Sequence, residues 1–191
     1  MNATLTEALW ALGRGSGIAA LVLLSLSVAL GIVARSGRSA LGLGRFGLNE
    51  LHRTTALTAV GLVVVHLVSL FFDPYAQLRV VDFLLPFLGS YRPLWLGLGT
   101  VAVDLLLVVT VVSLLRQRVG PRVFRTVHWA TYALWPVAVL HAFGTGTDAT
   151  TLWFDAVGIA CVGGVLTTLV WRTSASYAER GWSRLPRQVA R

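Results

Sequence analysis

Apolar residues run in long blocks along this chain, broken by short polar stretches. Five blocks, Gly17–Ala34, Leu51–Phe72, Leu94–Leu115, Val123–Phe143 and Leu152–Trp171, approach or exceed the roughly 18–20 residues that a helix needs to cross a bilayer. The pattern predicts one all-α membrane domain, residues 1–191, with five transmembrane helices over about 17–34, 51–72, 94–115, 123–143 and 152–171. The first block is long for a signal-peptide core, and "ARSGRSA" after it offers no cleavage site, so it is expected to be a retained helix. Between the second and third blocks, "DPYAQLRVVDFLLPFLGSYRP" (Asp73–Pro93) is too interrupted to span. Its apolar centre predicts an interfacial segment that could cover what lies beneath.

Composition agrees. Of 191 residues, 55% are hydrophobic and 13% charged, too few charges to cover a soluble domain of this size. The net charge of +8 would raise nucleic acid as a partner in a soluble protein, but here every cation is an arginine with a simpler assignment. Arg35, Arg38, Arg45 and Arg53 lie between blocks one and two or at the start of block two; Arg116, Arg118, Arg122 and Arg125 between three and four or at the start of block four; Arg172, Arg180, Arg184, Arg187 and Arg191 after block five. The intervening loops are poor in arginine or acidic. Positive-inside asymmetry predicts N-terminus out and C-terminus in, with residues 172–191 a short basic cytoplasmic tail. The expected partner is membrane lipid, with no nucleic acid, in the plasma membrane; the all-Arg, Ala/Gly/Val-rich composition hints at a bacterial source. The single cysteine, Cys161, permits no intrachain disulfide.

The four histidines change the picture most. All lie in predicted spans, as His52 and His66 in the second and His128 and His141 in the fourth. Titratable groups in a membrane are costly and mark function by default. At 1.5 Å per residue the pairs are separated by about 21 and 20 Å along their helices. Those helices run in the same direction, so His52 pairs in depth with His128 near the inner face, and His66 with His141 nearer the outer. Imidazoles facing across two helices suit a haem held on both sides, an electron-carrying arrangement. Fourteen residues fall about 40° short of four turns, so His52 and His66 share a face; thirteen fall about 140° short. Pro136, between His128 and His141, is one candidate for reorienting the outer half. A bare zinc site would want a closer cluster. A proton relay gives no reason for matched depths.

Those pairs, the "LHR" that opens the second block and "FRTVHWATYALWPVAVLHAFGTGTD" resemble the ferric-reductase-like transmembrane domain, over roughly Gly15 to Trp171. That superfamily includes ferric reductases, NADPH oxidases and the membrane subunit of a bacterial methionine sulfoxide reductase. The sulfoxide reductase subunits lack one ladder position, so a chain with all four histidines resembles the two-haem branch. The resemblance implies two haem b, an inner one on His52 and His128 and an outer one on His66 and His141. Ferric reductases and NADPH oxidases continue into a flavin and nicotinamide module. The tail here has no Gly-rich phosphate loop, so the expectation is a membrane cytochrome subunit of an oxidoreductase. Its donor would be a separate cytoplasmic flavoprotein or quinol, and its acceptor ferric iron, oxygen or a partner redox protein.

Other residues bear on the same site. Asp104, near the middle of the third span, should be buried in the bundle because a lipid-facing carboxylate is costly. It is a possible proton site or a plain helix contact. Trp135, seven residues from His128, should lie between the two levels. Arg53 and Arg125, close in sequence to the inner histidines, could pair with haem propionates, although topology alone would place them there. The alternative function is a small transporter handling protons or metal with the same histidines and Asp104; a third reading is a structural subunit of a larger complex.

Overall fold

The computed structural model describes residues 3–146, 148–174 and 177. The described chain forms seven helices: α1 (Ala3–Ser36), α2 (Arg45–Phe72), α3 (Val80–Leu84), α4 (Pro93–Leu114), α5 (Arg116–His128), α6 (Thr131–Thr145) and α7 (Leu152–Thr173). Local chemistry sets several boundaries. Gly37, at φ 70°, follows the last residue of α1 in the left-handed conformation that commonly ends helices. Asp73–Pro74 stops α2, since the residue before a proline is biased to extended backbone. Pro93 opens α4, where its missing N–H leaves no bond unmade. Inside α5, Gly120 (φ 78°, ψ 163°) breaks the helix just before Pro121.

Four helices, α1, α2, α4 and α7, are long and apolar enough to cross a membrane. The first begins near the N-terminus, well before the predicted Gly17. The fourth predicted span, 123–143, is divided: its start falls in α5 and its remainder in α6, which has 15 residues, about 22 Å. The backbone does not leave the helical region between them, because Trp129 and Ala130 keep φ near −60°. The turn is instead tightened, with i→i+3 bonds from Ala130, Tyr132 and Ala133 to Val127, Trp129 and Ala130. The basic tail beyond Ser174, Tyr177 excepted, lies outside the described residues.

The helices pack around α1, which lies against α2, α6 and α7; α4 lies against α5 and α6. The core joins Ala102 and Leu106 of α4 to Leu134 of α6, with Leu24, Val60, Val63, Leu105, Val137 and Ala138 around them. Large apolar side chains cover the outside, among them Val68, Leu107, Val108, Ile159 and Val170. An apolar exterior of this extent suits lipid, and the chain is a multi-pass membrane protein.

The segment after α2 folds back onto α4. At the start of α3 the Asp82 carboxylate accepts the Arg79 backbone N–H at 2.9 Å and a guanidinium N–H of the same residue at 3.1 Å, and Thr100 of α4 donates its hydroxyl proton to the Asp82 carbonyl at 2.8 Å. Phe87, at φ 69°, lies against Gly97 so closely that a Cβ there would come within 2.5 Å of the Phe87 nitrogen.

Candidate functional site

Antiparallel packing of α1 on α2 brings two levels of α1 against the two histidines of α2. His66 donates from Nδ1 to the carbonyl of Gly13 at 2.6 Å. His52 donates from Nδ1 to the carbonyl of Ser27 at 2.9 Å, with the Ser27 hydroxyl at 3.2 Å. On the other side of the bundle, His141 of α6 donates from Nδ1 to the carbonyl of Trp95, in the first turn of α4, at 2.8 Å. A carbonyl only accepts, so each of these rings carries its proton on Nδ1 and leaves Nε2 bare. Metal-ligating histidines commonly have their tautomer fixed in this way.

The fourth ring differs. His128 has a buried Nδ1 with no hydrogen-bond partner among the described residues. Its neighbours are aromatic: Phe124 stacks on it at 5.2 Å and 27°, and the His52 ring stands edge-on with centroids 6.1 Å apart and planes at 84°. Two imidazoles bonded to opposite sides of one metal, at about 2 Å each, have centroids about 6 Å apart. The separation of the His52 and His128 rings matches that spacing. At the other level His66 and His141 each bond a helix carbonyl, on α1 and α4 respectively. No three or more His, Cys, Asp or Glu side chains among the described residues cluster as ligands of one bare ion.

The tightened turn after His128 bears on the angular problem in α6. A residue in 3₁₀ geometry advances about 120° rather than about 100°. Three such residues recover about 60° of the roughly 140° by which an ideal helix separates His128 from His141. Pro136 sits farther along, inside α6.

Trp135 is buried and donates from its indole Nε1 to the Ser25 hydroxyl of α1 at 2.9 Å. The bond ties α6 to α1 within the buried core. Arg53 and Arg125 are exposed, and Arg53 lies 3.8 Å from Glu50. Arg35 lies in the last turn of α1, one turn beyond the Gly31 that lies against His52.

One expectation is overturned. Asp104 is exposed, not buried in the bundle. The buried positions of α4 include Ala102, Leu106 and Val109, and Asp104 stands two residues from Ala102 and so nearly opposite that face. Its neighbours one and two turns on, Leu107, Val108 and Val111, are exposed as well. Gly99 touches His141, so Asp104 lies about 7–8 Å farther along α4 from that level.

Two features were not read from the sequence. Gly13, Ser27 and Trp95 supply the carbonyls that orient three of the histidines. Arg14 pairs with the buried Asp148 and stacks between Trp10 and Trp153, its guanidinium 4.7 and 5.6 Å from the ring centroids. A signal was present: Arg14 is a lone cation at the end of α1 opposite the arginine clusters.

A family model described as the ferric reductase like transmembrane component matches residues 16–139. The match takes in His52, His66 and His128 and ends two residues before His141. No curated protein and no solved structure matches the chain. A match over more than half of the residues shows the family, and the chain belongs to it.

Proposed function

We propose that this member of the ferric reductase like transmembrane family carries electrons across the plasma membrane through two haem b groups. His52 and His128 hold the cytoplasmic haem, and His66 and His141 the outer one. α6 together with the end of α5 makes the fifth crossing, with the N-terminus outside and the C-terminus inside. The observation that carries the reading is the 6.1 Å approach of His52 to His128, from helices α2 and α5 that do not pack closely on one another.

The haems supply one-electron chemistry. The chain's own residues fix three imidazoles with Nε2 free, keep the space between the levels dry with Val60, Val63, Leu106 and Leu134, and brace that layer through the Trp135–Ser25 bond. Arg35, Arg53 and Arg125 offer cations for propionates at the His52 end. A separate flavoprotein or quinol delivers electrons from the cytoplasmic side, and ferric iron, oxygen or a partner redox protein takes them outside. The alternative, a proton or metal transporter built on the histidines and Asp104, loses its carboxylate, since Asp104 stands on the face of α4 turned away from the core.

Pyridine-haemochrome analysis and reduced-minus-oxidised spectra of the purified chain test the reading. Two haem b per chain with a low-spin spectrum are expected. Well under one haem per chain would overturn it.

A further inference from the structure

Three of the four imidazoles are seated in the same local arrangement, on two different helices. His66 bonds the carbonyl of Gly13 and its ring lies against Gly17. His52 bonds the carbonyl of Ser27 and lies against Gly31. His141 bonds the carbonyl of Trp95 and lies against Gly99. In each case the glycine is four residues after the carbonyl. Within a helix that carbonyl already accepts the N–H of the residue four along, and its second lone pair remains for the imidazole. The ring reaches it only by crossing the space where the Cβ of the fourth residue would be. Glycine weakens a helix relative to alanine, so three glycines at these points are not explained by helix formation.

We infer that Gly17, Gly31 and Gly99 are positioning residues: each leaves the gap through which a histidine takes a helix carbonyl, so that its Nδ1–H is fixed and its Nε2 is aimed at the haem. The inference rests on the haem-ligating reading of these histidines and deepens it. It also separates the two levels. Both rings of the His66–His141 level are seated in this way, whereas at the other level only His52 is, and the His128 Nδ1 has no partner among the described residues. Spacing supports the same device. Gly17 and Gly31 are fourteen residues apart, as are His52 and His66, because α1 and α2 run antiparallel in matched register.

The geometry ranks the substitutions. A Cβ on Gly99 would lie 2.5 Å from Cε1 and 2.6 Å from Nδ1 of His141; on Gly17, 2.8 Å from Nδ1 of His66; on Gly31, 3.3 Å from Cε1 of His52. Gly15, two residues from Gly17 on the same helix, has nothing within 4 Å and is the control. The experiment is haem content together with the EPR spectrum of the ferric protein, whose g-values report how the two imidazole planes are set on each haem. Gly99→Ala and Gly17→Ala should lose most of the outer haem, or shift its signal, and leave the inner signal alone. Gly31→Ala should retain both haems and shift only the inner signal, and Gly15→Ala should match the parent. If Gly17→Ala and Gly99→Ala carry full haem with unchanged g-values, the inference is overturned. Should the two severe variants fail to accumulate, Gly31→Ala decides: a shift confined to the inner signal supports the inference, and an unchanged spectrum overturns it. A parent protein without haem would refute the electron-transfer reading instead. The glycine role is then read by nitrogen NMR of labelled histidines, where loss of the Nδ1–H tautomer at His66 in Gly17→Ala supports it and an unchanged tautomer overturns it.

Discussion

His52 and His128 are seventy-six residues apart in sequence and stand with ring centroids 6.1 Å apart. The contact is made across the bundle by helices that each pack mainly on another partner, α2 on α1 and α5 on α4. An edge-on pair of neutral imidazoles does little for stability when both could have found water. One Nδ1, that of His128, is buried with no hydrogen-bond partner among the described residues, and the proposed haem ligation gives the pair a role that stability alone does not.

The two levels should be separable by substitution. His52→Leu or His128→Leu should remove the haem at their level and leave the other, taking haem content from two per chain to about one; His66→Leu or His141→Leu should do the converse. Redox titration followed optically distinguishes the cases, because one of two midpoint potentials should vanish. A helix pair whose two members abolish the same single haem, with partners across the bundle silent, would show that the pairing is wrong.

Trp135→Phe should loosen the layer between the levels without removing a ligand. The substitution deletes the buried indole bond to Ser25 and leaves the serine hydroxyl with one partner fewer. Losing a buried bond of this kind costs about 1–3 kcal/mol. Thermal unfolding in detergent should reveal the loss while haem content stays near that of the parent. Haem loss comparable to a histidine substitution would mean that Trp135 does more than pack.

The segment between α2 and α4 should respond to acid. The Arg79 side chain, through its hydrogen bonds to Asp82 at 3.1 and 3.4 Å and then through the Arg79 backbone N–H at 2.9 Å, holds the Asp82 carboxyl below its ordinary range. A carboxyl whose folded pKa is lowered stabilises the fold fully above its unfolded value, near 4, and loses that contribution as pH falls through the lower folded value. Hydrogen-exchange protection around 79–89, taken against the intrinsic exchange rate at each pH, should therefore be high at neutral pH and fall on strong acidification. Asp82→Asn should show low protection at both. Protection in Asp82→Asn equal to the parent's at neutral pH would show that the cap does not hold this segment.

Much of the architecture is legible in the sequence because lipid imposes simple rules. Long apolar blocks mark the helices, and a titratable ring is costly enough in a span that four at matched spacings stand out. What the rules miss is rotational phase. α4 is apolar on nearly every face, so no polar stripe reveals which side turns inward, and Asp104 was assigned inward on cost alone. The tightened turn at Trp129–Thr131 is equally hidden, since it reflects a local choice between i→i+3 and i→i+4 bonds that composition does not encode. The division of the fourth apolar block follows from that choice. The glycines under the histidines were readable in principle: Gly17 and Gly31 repeat the fourteen-residue interval of His52 and His66. Reading them needed the knowledge that α1, and not another helix, lies against α2.

Asp104 offers the sharpest contrast between what the spacing implied and where the side chain stands. It is exposed on an apolar face with Leu107, Val108 and Val111, and its helix buries Ala102, Leu106 and Val109 instead. An ionised carboxylate at the centre of a span costs at least about 2.5–3.5 kcal/mol against lipid, and no core contact offsets it. Asp104→Leu should therefore leave haem content, both midpoint potentials and their pH dependence as in the parent. The yield of membrane-inserted protein should be equal or higher, because a costly group is removed from the lipid face. Thermal stability of the solubilised chain should stay within about 0.5 kcal/mol, as for a surface position away from packed features. A shift in either midpoint potential, or a lost pH dependence, would place Asp104 in electrostatic contact with the haems and contradict the outward orientation.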